Sequence, residues 1–109
     1  MNILKIIAIT SCATGIAHSY MSAEALKKIA QKNGDQIKVE IQGAMGIENF
    51  LTVKDIEDAD LIVFANDVRI SKEERFNSVN SKIIHIPPHE VIKRPEIVYE
   101  KAKEILTNL

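Results

Sequence analysis

Residues 3–20 read ILKIIAITSCATGIAHSY, and this stretch decides the fold. Its first seven residues are apolar on both alternating faces apart from Lys5, which predicts a central parallel strand covered by helices on both sides. From Gly15 onward, apolar residues recur three or four positions apart, which predicts a long helix that stops at Asn33-Gly34. A buried strand that leads through a short loop into a helix is typical of an α/β fold.

Three later segments predict further strands, at residues 37–41, 61–65 and 83–86. The first of them alternates apolar with polar side chains, so it has one wet face and belongs at a sheet edge. The second is apolar throughout and therefore buried, and the third ends at Pro87-Pro88. Gly43 to Gly46 form a glycine-bearing loop after the edge strand.

Helical signals separate these strands. Thr52 to Asp55 form a capping box for a short helix through Ala59, and Pro95 fits the first turn of a last helix. Between the second and third of these segments, the sequence predicts only one helical turn, around residues 71–76. Strands that alternate with helices imply right-handed crossovers and a parallel sheet.

We therefore predict one Rossmann-like α/β domain over residues 1–109. It is a three-layer sandwich around a four-stranded parallel sheet in the order 2-1-3-4. In that order the carboxyl end of the first strand is the topological switch point, where ligands bind in such sheets. Cys12 follows this strand and so lies at the switch point.

Composition excludes several classes of function. Lys and Arg number 14 against 15 Asp and Glu, so the net charge of −1 gives no broad positive field for nucleic acid. No segment approaches the roughly 20 apolar residues that span a bilayer. No pair of histidines or acids has the spacing of metal ligands, and we expect no metal or cofactor. One cysteine cannot form an internal disulfide, which favours a reducing compartment, the cytoplasm.

The loop that contains Cys12 has the features of an anion site. It joins a buried strand to the amino terminus of a helix, where backbone N–H groups and the positive end of the helix dipole converge. Gly15 lets the backbone turn closely, and Thr14 and Ser19 add hydroxyl donors. The same field favours thiolate over thiol and makes Cys12 a nucleophile. A small buried hydrophobe is the usual interpretation of a lone cysteine, but the position at a strand end favours chemistry.

Four polar residues are predicted near Cys12. His18, six residues on, lies in the first helical turn, where it either donates to a phosphate oxygen or braces the loop. Asn66 and Asp67 follow a strand at the same sheet edge and border the site; because a carboxylate repels phosphate, Asp67 is predicted to order the loop. Gln42 ends the edge strand there and is predicted to form a second wall.

These motifs resemble the IIB domain of the fructose branch of the bacterial phosphoenolpyruvate-dependent sugar phosphotransferase system. The resemblance covers essentially the whole chain. It rests on CATGIAHSYM at residues 12–21, EAL at 24–26, EIQG at 40–43, GIEN at 46–49, AD at 59–60 and DV at 67–68.

The resemblance implies a cytoplasmic carrier at the inner face of the membrane. Such a domain takes a phosphoryl group from a phosphohistidine on a IIA domain, holds it as phosphocysteine and passes it to sugar delivered by a membrane IIC domain. Cys12 matches the phosphorylated residue, and fructose is the sugar that the resemblance implies. The phosphate would be bound by the loop residues Ala13, Thr14, Gly15, Ile16, Ala17, His18 and Ser19. The family usually has proline directly after the cysteine, whereas Ala13 adds an N–H donor.

Two other functions use the same parts. Low-molecular-weight tyrosine phosphatases also place a nucleophilic cysteine between a strand and a helix, with an arginine six residues on and an aspartic acid as general acid. Here the sixth residue is His18, which lacks the planar fork of arginine, so transfer is favoured over hydrolysis. A non-catalytic sensor of phosphate or redox state, acting through Cys12, is the third hypothesis.

Overall fold

The computed structural model of the chain describes residues 3–13, 16–43 and 46–106. Its strands are β1 Lys5–Ser11, β2 Gln36–Gly43, β3 Gly46–Glu48, β4 Leu61–Asn66 and β5 Ile83–His85. Its helices are α1 Ile16–Lys32, α2 Val53–Asp58, α3 Pro88–Lys93 and α4 Ile97–Leu106, and a 3₁₀ segment spans Glu73–Lys82.

The strands form one sheet in the order β3-β2-β1-β4-β5. β1 lies at its centre and pairs in parallel with β2 and β4, while β5 pairs in parallel with β4. The predicted α/β class and the relative order of the four predicted strands are confirmed. The predicted strand count is wrong, because β3 is a fifth strand that runs antiparallel to β2 and makes the sheet mixed.

β3 starts at the end of the segment that the sequence predicts as a glycine-bearing loop. Gly46 has a φ of +118°, a conformation that favours glycine, and it pairs with Gly43 at the end of β2. The chain therefore returns along β2 instead of leaving the sheet. All three residues of β3 are exposed, so no alternation of apolar and polar side chains marks them as a strand in the sequence.

Both faces of β1 are buried, as its sequence predicts. One apolar cluster lies between the sheet and helices α1, α3 and α4 and includes Ile6, Ala8, Leu26, Val91 and Val98. A second cluster lies between the sheet and α2 with the 3₁₀ segment and includes Ile7, Ile9, Ile56, Phe76 and Val79. The sheet is thus the middle of three layers, and the loop after β1 emerges from the centre of its carboxyl edge.

The polar face of β2 is wet only in its first half. Lys38 is exposed, but Glu40 and Gln42 are only 0% and 7% exposed. The prediction of one wet face is therefore wrong for the second half of this strand. Its polar side chains are covered there because Arg75 of the 3₁₀ segment and Ser71 bond to them.

The helices follow their local signals closely. Thr52 Oγ1 accepts from the Asp55 N–H at 3.1 Å, and Asp55 Oδ2 accepts from the Thr52 N–H at 3.0 Å, which is the predicted capping box. The Pro87-Pro88 pair, predicted only as a strand end, also begins α3, since proline is tolerated in a first helical turn. Within the described ranges, no helix is long and apolar enough to cross a membrane.

Candidate functional site

The site lies at the carboxyl edge of the sheet, where β1 ends between its two parallel neighbours. Ser11, the last residue of β1, pairs with Gln42 of β2 on one side and with Asn66 of β4 on the other. The Asp67 N–H donates to the Ser11 carbonyl at 3.1 Å, which extends the pairing one residue past β4. Cys12 therefore enters the loop with Asp67 held beside it.

Two side chains, those of His18 and Asp67, lie close to the Cys12 sulfur. The sulfur is partly buried and lies 3.8 Å from Nδ1 of His18, which is exposed in the first turn of α1. The Cys12 thiol donates to Oδ2 of Asp67 at 3.4 Å. The thiol, the imidazole and the carboxylate thus form one exposed polar group at the switch point of the sheet.

Asp67 also holds the first backbone group of the loop. The Ala13 N–H donates to Oδ1 of Asp67 at 2.7 Å. This hydrogen bond is the main reason that the pKa of Asp67 is lowered, and the Cys12 thiol and the nearby His18 lower it further, while desolvation acts against them. The side chain that was predicted to border the site therefore contacts both the sulfur and the loop backbone, as a carboxylate.

Asn66 and Gln42 hold the loop that follows β4. Asn66 Nδ2 donates to the Val68 carbonyl at 2.7 Å. Gln42 accepts the Ser71 N–H on Oε1 at 2.8 Å and donates from Nε2 to the Ser71 carbonyl at 3.1 Å. Both residues lie at the predicted edge, but these amide contacts fix the segment around Asp67 instead of reaching for the sulfur.

The remaining loop residues are only partly described. Thr14 and Gly15, predicted to bind phosphate, lie outside the described residues, as does the side chain of Ile16. Ala17 is exposed at the start of α1. Ser19 is 1% exposed, and its hydroxyl has no hydrogen-bond partner within the described part of the chain. A buried hydroxyl without a partner is unusual in folded proteins.

A buried ion pair between Glu40 of β2 and Arg75 of the 3₁₀ segment lies next to the site, and the sequence does not predict it. Arg75 donates to both carboxylate oxygens of Glu40, from one nitrogen at 2.8 Å and from the other at 3.0 Å. Glu40 also accepts the Leu51 N–H at 2.7 Å and the Gln42 amide at 2.7 Å. Burial alone would raise the pKa of Glu40, but these hydrogen bonds outweigh it and the pKa is lowered. The sequence feature that could have indicated the pair is a glutamate and a glutamine inside a strand motif, EIQG, together with an arginine after β4.

Among the described residues, no group of three or more His, Cys, Asp or Glu side chains could hold a metal ion. The chemistry of this site rests on a thiol beside a loop at a helix amino terminus. A thiol between the end of a parallel strand and the amino terminus of a helix lies where anionic groups bind in α/β domains.

Comparison with known proteins identifies the family. Residues 7–101 match the family described as PTS system, Lactose/Cellobiose specific IIB subunit. The chain is 41% identical over 99 residues to the PTS system fructose-like EIIB component 2 of Escherichia coli strain K12, covering 91% of this chain and 92% of that protein. It is 44% identical over 98 residues to the PTS system fructose-specific EIIABC component of Bacillus subtilis strain 168, covering 90% of this chain and 15% of that protein.

A solved structure agrees with these relatives. The solution structure of the Enzyme IIB subunit of the PTS system from Escherichia coli K12 superposes with a TM-score of 0.86 at 34% identity, covering 98% of this chain and 97% of that one. The chain belongs to the IIB family of the sugar phosphotransferase system. It is a phosphotransferase component with a phosphoryl-carrier role in sugar uptake, and the phosphatase and sensor hypotheses are not favoured.

Proposed function

We propose that Cys12 carries the phosphoryl group, taking it from a phosphohistidine on a IIA domain and passing it to a sugar delivered by a membrane IIC domain. The observation that carries this proposal is the position of the single thiol of the chain, at the switch point of the sheet beside His18 and Asp67. The fusion of A, B and C units named for the Bacillus subtilis relative supports both partners. The domain then works in the cytoplasm, at the inner face of the membrane.

Each half of the transfer is a displacement at phosphorus. In loading, the sulfur bonds to phosphorus, the nitrogen–phosphorus bond of the donor breaks, and the thiol proton ends on the donor imidazole nitrogen. In discharge, a sugar hydroxyl bonds to phosphorus, the sulfur–phosphorus bond breaks, and the hydroxyl proton ends on the sulfur. The protein contributes position and electrostatic stabilisation, as is general for phosphoryl transfer.

The loop from Ala13 to Ser19 would bind the phosphoryl oxygens. His18 is proposed to donate a hydrogen bond from its ring, because Nδ1 lies 3.8 Å from the sulfur that would hold the phosphate. Ser19, in the first turn of α1, is proposed as a second side-chain donor, since its hydroxyl has no hydrogen-bond partner among the described residues. Histidine holds phosphate less firmly than the forked guanidinium of arginine would, which favours handing the group on over hydrolysis.

Fructose, or a sugar closely similar to it, is the proposed acceptor. The names of the relatives from Escherichia coli and Bacillus subtilis, at 41% and 44% identity, support a sugar of the fructose type. The broader family description names lactose and cellobiose instead. The individual relatives, at 41% and 44% identity, are the better guide to the sugar class.

The direct test is loading from a phosphorylated IIA domain, followed by intact-protein and peptide mass spectrometry. We expect one phosphoryl group per chain, located on Cys12, and none on the Cys12→Ser variant, which keeps the size of the side chain but not the nucleophile. Near-ultraviolet circular dichroism of the variant checks that it is folded. A phosphoryl group on another residue, or none on the wild-type chain, would overturn the proposal. Fast hydrolysis of an aryl phosphate, lost in the same variant, would point to a phosphatase.

A further inference from the structure

The carboxylate of Asp67 accepts hydrogen bonds from the Ala13 N–H and the Cys12 thiol, the two groups nearest to an incoming phosphoryl group. Its Oδ1 accepts the Ala13 N–H at 2.7 Å, which is the first backbone donor after Cys12. Its Oδ2 accepts the Cys12 thiol at 3.4 Å. In the discharged protein, an anion supplied by the chain itself therefore sits against the sulfur.

Hydrogen bonds on both sides of Asp67 fix the position of its backbone. Its N–H donates to the Ser11 carbonyl at 3.1 Å, so the backbone of Asp67 continues the pairing of β4 with β1. The next part of the loop is tied to β2 through the two hydrogen bonds between Gln42 and Ser71. Because both flanks of its backbone are fixed, the exposed carboxylate can leave the sulfur only by rotation of its own side chain.

The charge at Asp67 has opposite effects on the two states of Cys12. When Cys12 is a thiol, the carboxylate accepts its proton in a hydrogen bond and stabilises that state. When Cys12 carries a phosphoryl group, the same carboxylate faces the negative charge of the phosphate oxygens and destabilises that state. Both effects favour discharge over loading.

We propose that Asp67 promotes discharge: its carboxylate, held against the Cys12 sulfur and the Ala13 N–H, raises the tendency of phosphocysteine to pass its phosphoryl group on. This inference rests on the proposed function of Cys12. The bonds exchanged are those already given, and Asp67 adds a hydrogen-bond acceptor for the thiol that re-forms when the sulfur–phosphorus bond breaks.

The test compares Asp67→Asn with wild type in the exchange of one phosphoryl group with a IIA domain. Asparagine keeps an oxygen for the Ala13 N–H but removes the charge. We expect the equilibrium to shift toward the phosphorylated domain by about five- to tenfold, the effect of one unit charge at close range in a solvated site. The rate of return transfer to unphosphorylated IIA should fall by a similar factor.

Asp60→Asn is the matched control. Asp60 also accepts a backbone N–H, that of Lys5 at 2.9 Å, but at the opposite edge of the sheet. The control makes the same change in net charge and should leave the exchange equilibrium at the wild-type value. Asp67→Ala removes both the charge and the loop contact, and it provides a second variant if Asp67→Asn does not fold.

The outcomes separate this inference from the proposed function. A wild-type chain that is never phosphorylated on Cys12 overturns both. A wild-type chain that loads on Cys12, with an Asp67→Asn variant that exchanges like wild type or like Asp60→Asn, overturns only the role of Asp67. A shift in Asp67→Ala with none in Asp67→Asn would make Asp67 a loop anchor alone and would also contradict the inference.

Discussion

The contact between Ala13 and Asp67 joins two residues that are 54 positions apart in the chain. The Ala13 N–H is the main cause of the lowered pKa of Asp67, since a hydrogen bond to a carboxylate favours its charged form. Proline, the residue usual after the cysteine in the fructose IIB family, has no N–H to give. The residue at position 13 thus influences the charge of a side chain that touches the reactive sulfur.

Ala13→Pro should therefore raise the pKa of Asp67 toward the ordinary range of an aspartic acid. The measurement is an NMR titration of the Asp67 side-chain carboxyl carbon in both proteins. Asp55 serves as an internal reference, because Thr52 and Lys38 hold its pKa at about 2 independently of the loop. An Asp67 titration that is the same in both proteins would show that the Ala13 N–H does not control this carboxyl.

At the residue scale, the sequence predicts which residues lie near Cys12 better than it predicts the hydrogen bonds between them. Cys12, Asp67 and Gln42 were placed at one edge because the carboxyl ends of parallel strands meet there. Which atoms bond was not predictable, since that depends on the path of two loops. The Gln42 amide bonds to Ser71. The Ala13 N–H bonds to the carboxylate of Asp67, the residue predicted to order the loop.

At the scale of elements, the pair of Glu40 and Arg75 joins β2 to the 3₁₀ segment. The two side chains are 0% and 7% exposed, and Arg75 also donates to the carbonyls of Leu51 and Ser71. Its guanidinium lies 4.5 Å from the centre of the Phe50 ring. One arginine thus fixes the segments before α2 and after β4 against the strand that underlies the site.

Arg75→Met should destabilise the fold by about 3–5 kcal/mol, because it leaves the Glu40 carboxylate buried without its cation. Urea unfolding followed by far-ultraviolet circular dichroism measures the change. The matched control is Arg94→Met, since Arg94 is exposed and pairs with Glu100 at 3.1 Å; it should cost about 1 kcal/mol or less. Equal losses in the two variants would contradict a special role for the buried pair.

The elements that the sequence missed are those with weak local signals. α1, α2, β1 and β4 carry clear periodicity or caps, and they lie where predicted. β3 is three exposed residues, recognisable only once Gly46 turns the chain back on β2. The prediction of a wet face fails in the second half of β2, because that half is covered by Arg75, 35 residues from Glu40. Pairings across such distances leave no periodic pattern in the sequence.

At the scale of the whole molecule, the carboxyls with lowered pKa values link folding to pH. Glu40 on β2, Asp55 on α2 and Asp67 beside the site each have a pKa below the ordinary value. In the unfolded chain these groups titrate near pH 4. Their contribution to stability is therefore fully present above that pH, and it is lost as the pH falls through the lower pKa values of the folded protein.

Asp55→Asn isolates one part of this dependence. Asparagine keeps an oxygen for the Thr52 N–H but loses the charge that Lys38 contacts at 2.9 Å. At pH 7 the variant should be less stable than wild type. From about pH 4 downward the wild-type stability should fall more steeply, because unfolding then takes up a proton at Asp55, whose folded pKa is about 2. The two free energies of unfolding should therefore converge near pH 2, as followed by urea titrations at each pH. Asp58→Asn, on the exposed side of the same helix, removes an equal charge but leaves Asp55 in place, so it should keep the steep fall of stability below pH 4. A gap between Asp55→Asn and wild type that stays constant from pH 7 to pH 2 would mean that the capping carboxylate does not link α2 to the acid sensitivity of the fold.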